Sequence, residues 1–183
     1  MILITGEKAF HSDINKLDNS VMAEIPAAML LNAGRSQWQI NNTAVRHLPS
    51  FYNNYRELPA ARRRELFSSL EQDYYDFYLY VLKKFNLTID HIDAIVPGNI
   101  DLPMLRRITD KLKFKGEFFT EHISVYGHAY CSDILFNLSS LLKGFEGKRI
   151  LCVAMGMGIT MSCILIEKNE INGVNHVTTS VSR

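Results

Sequence analysis

A chain of 183 residues, 47% apolar and 21% charged, is long enough for one packed domain with room for a small second lobe. Its formal net charge of +1 gives no basic field to gather nucleic acid or an anionic membrane. The three cysteines, Cys131, Cys152 and Cys163, form neither a CxxC nor a metal spacing with histidine, so reduced thiols in a cytoplasmic protein without a metal site are expected. No charged-then-apolar leader opens the sequence, and no apolar run approaches the ~18 residues of a membrane span.

In chain order, "MILIT" predicts a buried strand, and the polar "HSDINKLDNS" a loop. The second half of "VMAEIPAAMLLNAG" predicts a strand ending at Gly34. Alternation and β-branched residues in "SQWQINNTAVRHLP" predict another, ending near Pro49. "SFYNNYRELPAA" reads as irregular. Phe67, Leu70, Tyr74, Phe77, Tyr78, Val81 and Phe85 recur at spacings of three and four, which predicts a helix from about Ala60 to Phe85 with one core-facing stripe. Arg62, Arg63 and Arg64 read as its solvated first turn.

The strand "HIDAIVP" follows, then a helix from Leu102 to about Phe114 carrying Arg106, Arg107, Lys111, Lys113 and Lys115. Ser132 and Asp133 are suited to cap a further helix whose apolar face is Ile134, Leu135, Leu138, Leu141 and Leu142, ended by Gly144 and Gly147. "KRILCVAMGMGITMSCILIEK" reads as two buried strands around a glycine turn, with Cys152 and Cys163 as packing residues. The order β-β-β-α-β-α-β-α-β-β predicts a layered α/β sandwich.

Three loops at the ends of buried strands are the candidates for chemistry: "VPGNID", "VYGHAYCSD" and "AMGMGIT". The "MGMG" glycines could present N–H groups to an oxyanion or form only a hairpin turn. They are not a Walker sequence, because strand pattern continues after them. His128 precedes a helix start, which favours a neutral imidazole and anionic ligands, although a lone histidine also serves structural ends. Cys131 has no base within reach in sequence other than His128.

Taken together, "VPGNID", "YGHAYCSDILFNLSSLLKG" and "MGMGITMSCILIEK" resemble the C-terminal half of β-ketoacyl-acyl carrier protein synthase III, a thiolase-like condensing enzyme. In that family one strand ends in V-P-H-Q-A-N, a later G-N loop precedes a helix, and a G-x-G turn leads into the last strand. "MILITGE" and "SVMAEIPAAMLL" resemble two strands of the family's first half. The resemblance implies a thiolase-like layered α/β fold with a mixed sheet flanked by helices. It divides the chain into residues 1–34 (strands of the first half), 35–168 (the C-terminal half) and 169–183 (a polar tail).

The family's Cys, His, Asn triad is altered here. Its cysteine lies upstream of the residues matched. Gly98 stands at its histidine position, Asn99 at its glutamine, Asp101 at the following asparagine and His128 at its loop asparagine. Gly158 keeps the glycine whose N–H helps build the oxyanion hole. Arg106, Arg107 and Lys111 fall where basic residues meet the carrier protein, and Pro103 where an arginine is frequent. The expectation is a non-catalytic, synthase III-like subunit in fatty-acid or polyketide-type metabolism, forming an oligomer with a condensing-enzyme chain. It needs no cofactor, and its ligand is an acyl-coenzyme A or an acyl carrier protein. The alternatives are one half of a split, active acyltransferase (3-oxoacyl-ACP synthase) in which His128 assists, and an acyl or pantetheine-binding module.

Overall fold

Strands that are apolar at consecutive positions need cover on both faces. That condition organises this chain, whose computed structural model describes residues 1–6, 25–34, 36–48, 59–156 and 159–169. The elements are β1 (Ile2–Thr5), β2 (Ala27–Leu30), β3 (Trp38–His47), α1 (Ala60–Lys84), β4 (Ala94–Pro97), α2 (Leu102–Leu112), β5 (Glu117–Phe118), α3 (Ile123–Tyr126), α4 (Asp133–Leu141), β6 (Arg149–Gly156) and β7 (Thr160–Lys168). Five strands form one sheet in the order β3-β7-β6-β4-β5. β4 runs parallel to β5 and β6, while β7 is antiparallel to β6 and β3, so the sheet is mixed. β1 and β2 make a separate antiparallel ribbon.

The pleat divides the central strands between two cores. Ile95, Leu151, Val153, Cys163 and Leu165 point to α1 and α2, where they meet Tyr74, Phe77, Tyr78, Val81, Leu105 and Ile108. Ala94, Val96, Ile150, Cys152 and Ile166 point the other way, onto Leu138 and Leu141 of α4 and Phe119. This is a helix–sheet–helix sandwich with very unequal helix cover: α1 has 25 residues and α4 nine. Outside it, the β1–β2 ribbon keeps Ile2, Ile4 and Leu30 at least 66% exposed. Two four-residue strands with so little buried side chain are marginal by themselves. An exposed apolar face lies on this ribbon.

Several sequence expectations need correction. The second strand stops at Leu30 rather than Gly34, and the turn at Gly34 is instead closed by its N–H on Asn32 Oδ1. In α1 the core face begins at Leu66, 3% exposed, while Phe67 is 61% exposed. Both residues are compatible in spacing with Leu70, and the choice falls to Leu66 because it meets Leu48 and Ile159 across the fold. Of the arginine triplet, Arg62 pairs with Glu65 in the first turn and Arg64 is exposed. The "HIDAIVP" strand is only Ala94–Pro97, because Ile89–His91 close a 3₁₀ turn ahead of it. α2 ends at Leu112, where Lys113 takes φ 56° and closes the helix. α3 and the 3₁₀ turn Tyr130–Ser132 were not anticipated. Met157, Gly158 and the tail from 170 to 183 lie outside the described residues. Among the described residues no helix is long and apolar enough to cross a membrane.

The two cores treat the thiols differently from the site loop. Cys152 and Cys163 are buried and Cys131 is exposed. Burial pushes the Cys152 thiol up to about 12 and raises Cys163 as well, the latter also opposed by its neighbour Cys152. Native protein treated with iodoacetamide at neutral pH should lose one thiol quickly, at Cys131. The other two should react only with unfolding, as read by peptide mass mapping.

Candidate functional site

The ends of β4 and β6 lie side by side, with Pro97 in register with Val153. Strand ends of this kind are where α/β sheets hold ligands. The chain leaves β4 through Gly98, whose N–H donates to Val153 O at 3.0 Å. Asn99, 3% exposed, is turned inward. Asp101 does something simpler: its Oδ1 accepts from Met104 N–H at 2.9 Å and caps α2. The sequence placed Asp101 in a degenerate site, and the geometry assigns it to the start of a helix.

The centre of the arrangement is Asp133, with 1% of its side chain exposed. Its Oδ2 accepts from Asn99 N–H at 2.8 Å and from His128 Nδ1 at 2.5 Å. Its Oδ1 accepts from Ala129 N–H at 2.6 Å. One carboxylate therefore joins the end of β4, the "GHAY" loop and the start of α4. This corrects the capping expectation: neither Ser132 nor Asp133 bonds forward into α4, because both carboxylate oxygens are committed to the loops behind it. Ser132, fully buried, instead lies 3.2 Å from Thr5 Oγ1, which ties the β1 ribbon to the same loop.

A second layer backs the first. Asn99 Nδ2 donates to Gly127 O at 2.9 Å, and Asn137 Nδ2 donates to Asn99 Oδ1 at 2.8 Å and Pro97 O at 3.2 Å. Each of these neutral bonds contributes about 0.5–1.5 kcal/mol, and an orphaned buried donor costs about 1–3 kcal/mol. Tyr130, at φ 52°, sets its ring 5.0 Å from that of His128. The His128 ring is thus held from two sides, with 23% of its side chain still exposed.

Of the residues named from sequence, Gly98, Asn99 and His128 come together around Asp133, and Gly158 lies outside the described residues. Asp133 and Asn137 were missed as site residues. Their signal was there: two polar residues four apart, interrupting the buried stripe that continues to Leu141. Arg106, Arg107 and Lys111 stand apart on α2. Arg107 pairs with Glu71 at 2.8 Å, and Lys111 bonds Gln72 and lies 4.1 Å over the Tyr75 ring, so both hold α2 to α1. Arg106 is exposed.

Residues 82–168 match the family described as 3-oxoacyl-[acyl-carrier-protein (ACP)] synthase III C terminal. The chain resembles the C-terminal half of that synthase. A curated relative, the beta-ketoacyl-[acyl-carrier-protein] synthase III of Clostridium novyi (strain NT), is 30% identical over 111 residues, covering 58% of this chain and 34% of the relative. The crystal structure of 3-oxoacyl-[acyl-carrier-protein] synthase III from Aquifex aeolicus VF5 superposes with a TM-score of 0.64 at 20% identity, over 76% of this chain and 48% of that one. A tetronic acid condensing enzyme superposes with a TM-score of 0.70 at 15% identity, over 91% and 58%. The chain thus spans about a third of the curated relative and about half of these structures, and its fold is thiolase-like.

Against the synthase III pattern, Gly98 leaves room that its neighbours do not fill. A Cβ built there meets only Asp133 Oδ2, at 3.8 Å, and its φ lies outside the left-handed region. Gly98→Ala should therefore fold, with a stability change within about 1 kcal/mol in urea titration. Asp133→Asn should cost more, about 2–4 kcal/mol, because an amide cannot accept on both sides while facing two backbone N–H donors.

Proposed function

We propose that this chain is a synthase III-like subunit that handles acyl thioesters without performing decarboxylative condensation, and that it pairs with a condensing-enzyme chain in fatty-acid or polyketide-type metabolism. The observation that carries this reading is Gly98. The loops, the strand ends and the buried Asn99–Asp133–Asn137 network that would frame a reaction centre are built. The position at which the resemblance expects a histidine presents no side chain. A donor aimed at a developing oxyanion contributes about 2.7–4 kcal/mol to such a step, so its loss costs roughly a hundredfold to a thousandfold in rate.

Pairing is supported by the ribbon, whose Ile2, Ile4 and Leu30 side chains are exposed. The reading assigns carrier-protein contact to Arg106, since Arg107 and Lys111 are engaged with α1. The second reading, an acyltransferase split over two chains, draws on one feature: His128 is oriented by a buried carboxylate, as a working imidazole is.

The test is malonyl-thioester decarboxylation, followed by release of labelled carbon dioxide, with the 183-residue chain alone and with a co-purified condensing-enzyme chain. The chain alone should show no decarboxylation above background. Gly98→His should raise it in the assembled pair. Condensation by the unmodified chain alone, at the rate of a full-length synthase, would sink the reading.

A further inference from the structure

We infer that His128 and Asp133 form a general-base dyad that hydrolyses an acyl thioester at the end of β4. This rests on the reading above that the site handles acyl thioesters, and adds a reaction to it.

The dyad includes one departure from the pattern of the resemblance, His128 at the loop asparagine, and that residue meets Asp133 in space. Asp133 Oδ2 accepts from His128 Nδ1 at 2.5 Å. The carboxylate is anchored by the Asn99 and Ala129 N–H groups, so it cannot turn away from the ring. With Nδ1 committed as a donor, the neutral imidazole carries its lone pair on Nε2. Nε2 has no hydrogen-bond partner among the described residues, and 23% of the side chain is exposed. The Tyr130 ring limits the remaining rotation. A fixed carboxylate and a fixed, part-exposed imidazole are parts that general-base catalysis uses.

Gly98 decides which reaction the dyad suits. Without a side chain there, an enolate has no donor from this position, whereas taking a proton from water is a step that the His128 imidazole can perform itself. His128 Nε2 takes a proton from water as the water oxygen bonds to the thioester carbonyl carbon. The carbonyl π pair moves onto oxygen as the water adds; its return re-forms the carbonyl as the C–S bond breaks, and the imidazolium gives its proton to the leaving thiolate. The products are a carboxylic acid, ionised at neutral pH, and a free thiol. No redox partner is needed. His128 is the catalytic residue and Asp133 a positioning residue.

The experiment uses the full chain, with its partner chain if one co-purifies, and an acyl-pantetheine thioester as substrate. Thiol release is followed by a disulfide dye. Binding is measured in parallel with the corresponding acyl-pantetheine thioether, which cannot be hydrolysed, by calorimetry. The expected result is thioether binding that is unchanged in His128→Gln. Hydrolysis in that variant should fall about a hundredfold or more in kcat at constant KM, the low end of what a general base contributes. Asp133→Asn should lower kcat at constant KM while its circular dichroism stays native. His128→Gln, at a part-exposed position, serves as the primary variant should Asp133→Asn fail to fold. Thioether binding with hydrolysis indifferent to His128 overturns the dyad and leaves the acyl-thioester reading standing. An acyl group accumulating on Cys131 by mass spectrometry overturns water as the nucleophile. Absence of thioether binding overturns both.

Discussion

A buried carboxylate must be matched by donors, and the way Asp133 is matched decides how this end of the molecule is put together. An unpaired ion in the interior costs several kcal/mol even after relaxation. Here the donors come from three places: the peptide after Gly98, the peptide after His128, and the His128 ring. Removing any one leaves charge or N–H groups without partners, so the loops behave as a unit. Asn137 extends the unit to the carbonyl of Pro97, and Ser132 to Thr5 of the ribbon. The arrangement converts two irregular loops into a fixed frame at the strand ends.

The sheet beneath supplies the rigidity that such a frame needs. Central strands packed on both faces do not shift in register without moving a whole set of side chains to the wrong core. The core under α1 and α2 is the larger, with Tyr74, Phe77, Tyr78, Leu105 and Ile108 at under 2% exposure. The opposite core rests on the nine residues of α4, which is also the helix that carries Asp133 and Asn137. Stability and site geometry are thus coupled through α4. The ribbon is coupled to α4 as well, with Met29 packed against its cluster and Thr5 beside Ser132, while its outer side chains face solvent. An arrangement in which another surface covers that ribbon would reach the site loop through Thr5 and Ser132.

Much of this was legible before any coordinates. The long helix, the β6–β7 pair and the ordered loops were readable because burial on one face or on two leaves a period in the sequence. The strand end after Pro97 and the loop around His128 could be named because glycine and proline punctuate regular elements. What sequence misread has a common cause. Leu66 and Phe67 have equal claim by spacing, and only Leu48 and Ile159, distant in the chain, decide between them. The Asp133 carboxylate has a local use as a helix cap and a distant use as the acceptor of three loop donors. Local pattern favours the first, and tertiary contact selects the second. Asp101, which the resemblance placed in the degenerate site, also has a local use as the cap of α2.

By itself the sequence determined the class of fold and the place of the candidate site. Both follow from short-range periodicity and from the order of strand, turn and helix, which the chain carries wherever it folds. Only the tertiary structure decided that His128 acquires a carboxylate partner, that Asn99 turns inward, that Arg107 and Lys111 hold a helix, and that a Cβ at Gly98 would face Asp133. Those are statements about pairs of residues from 5 to 39 positions apart. No periodicity records such a pair, because its energy exists only when the buried partners are brought together and water is excluded.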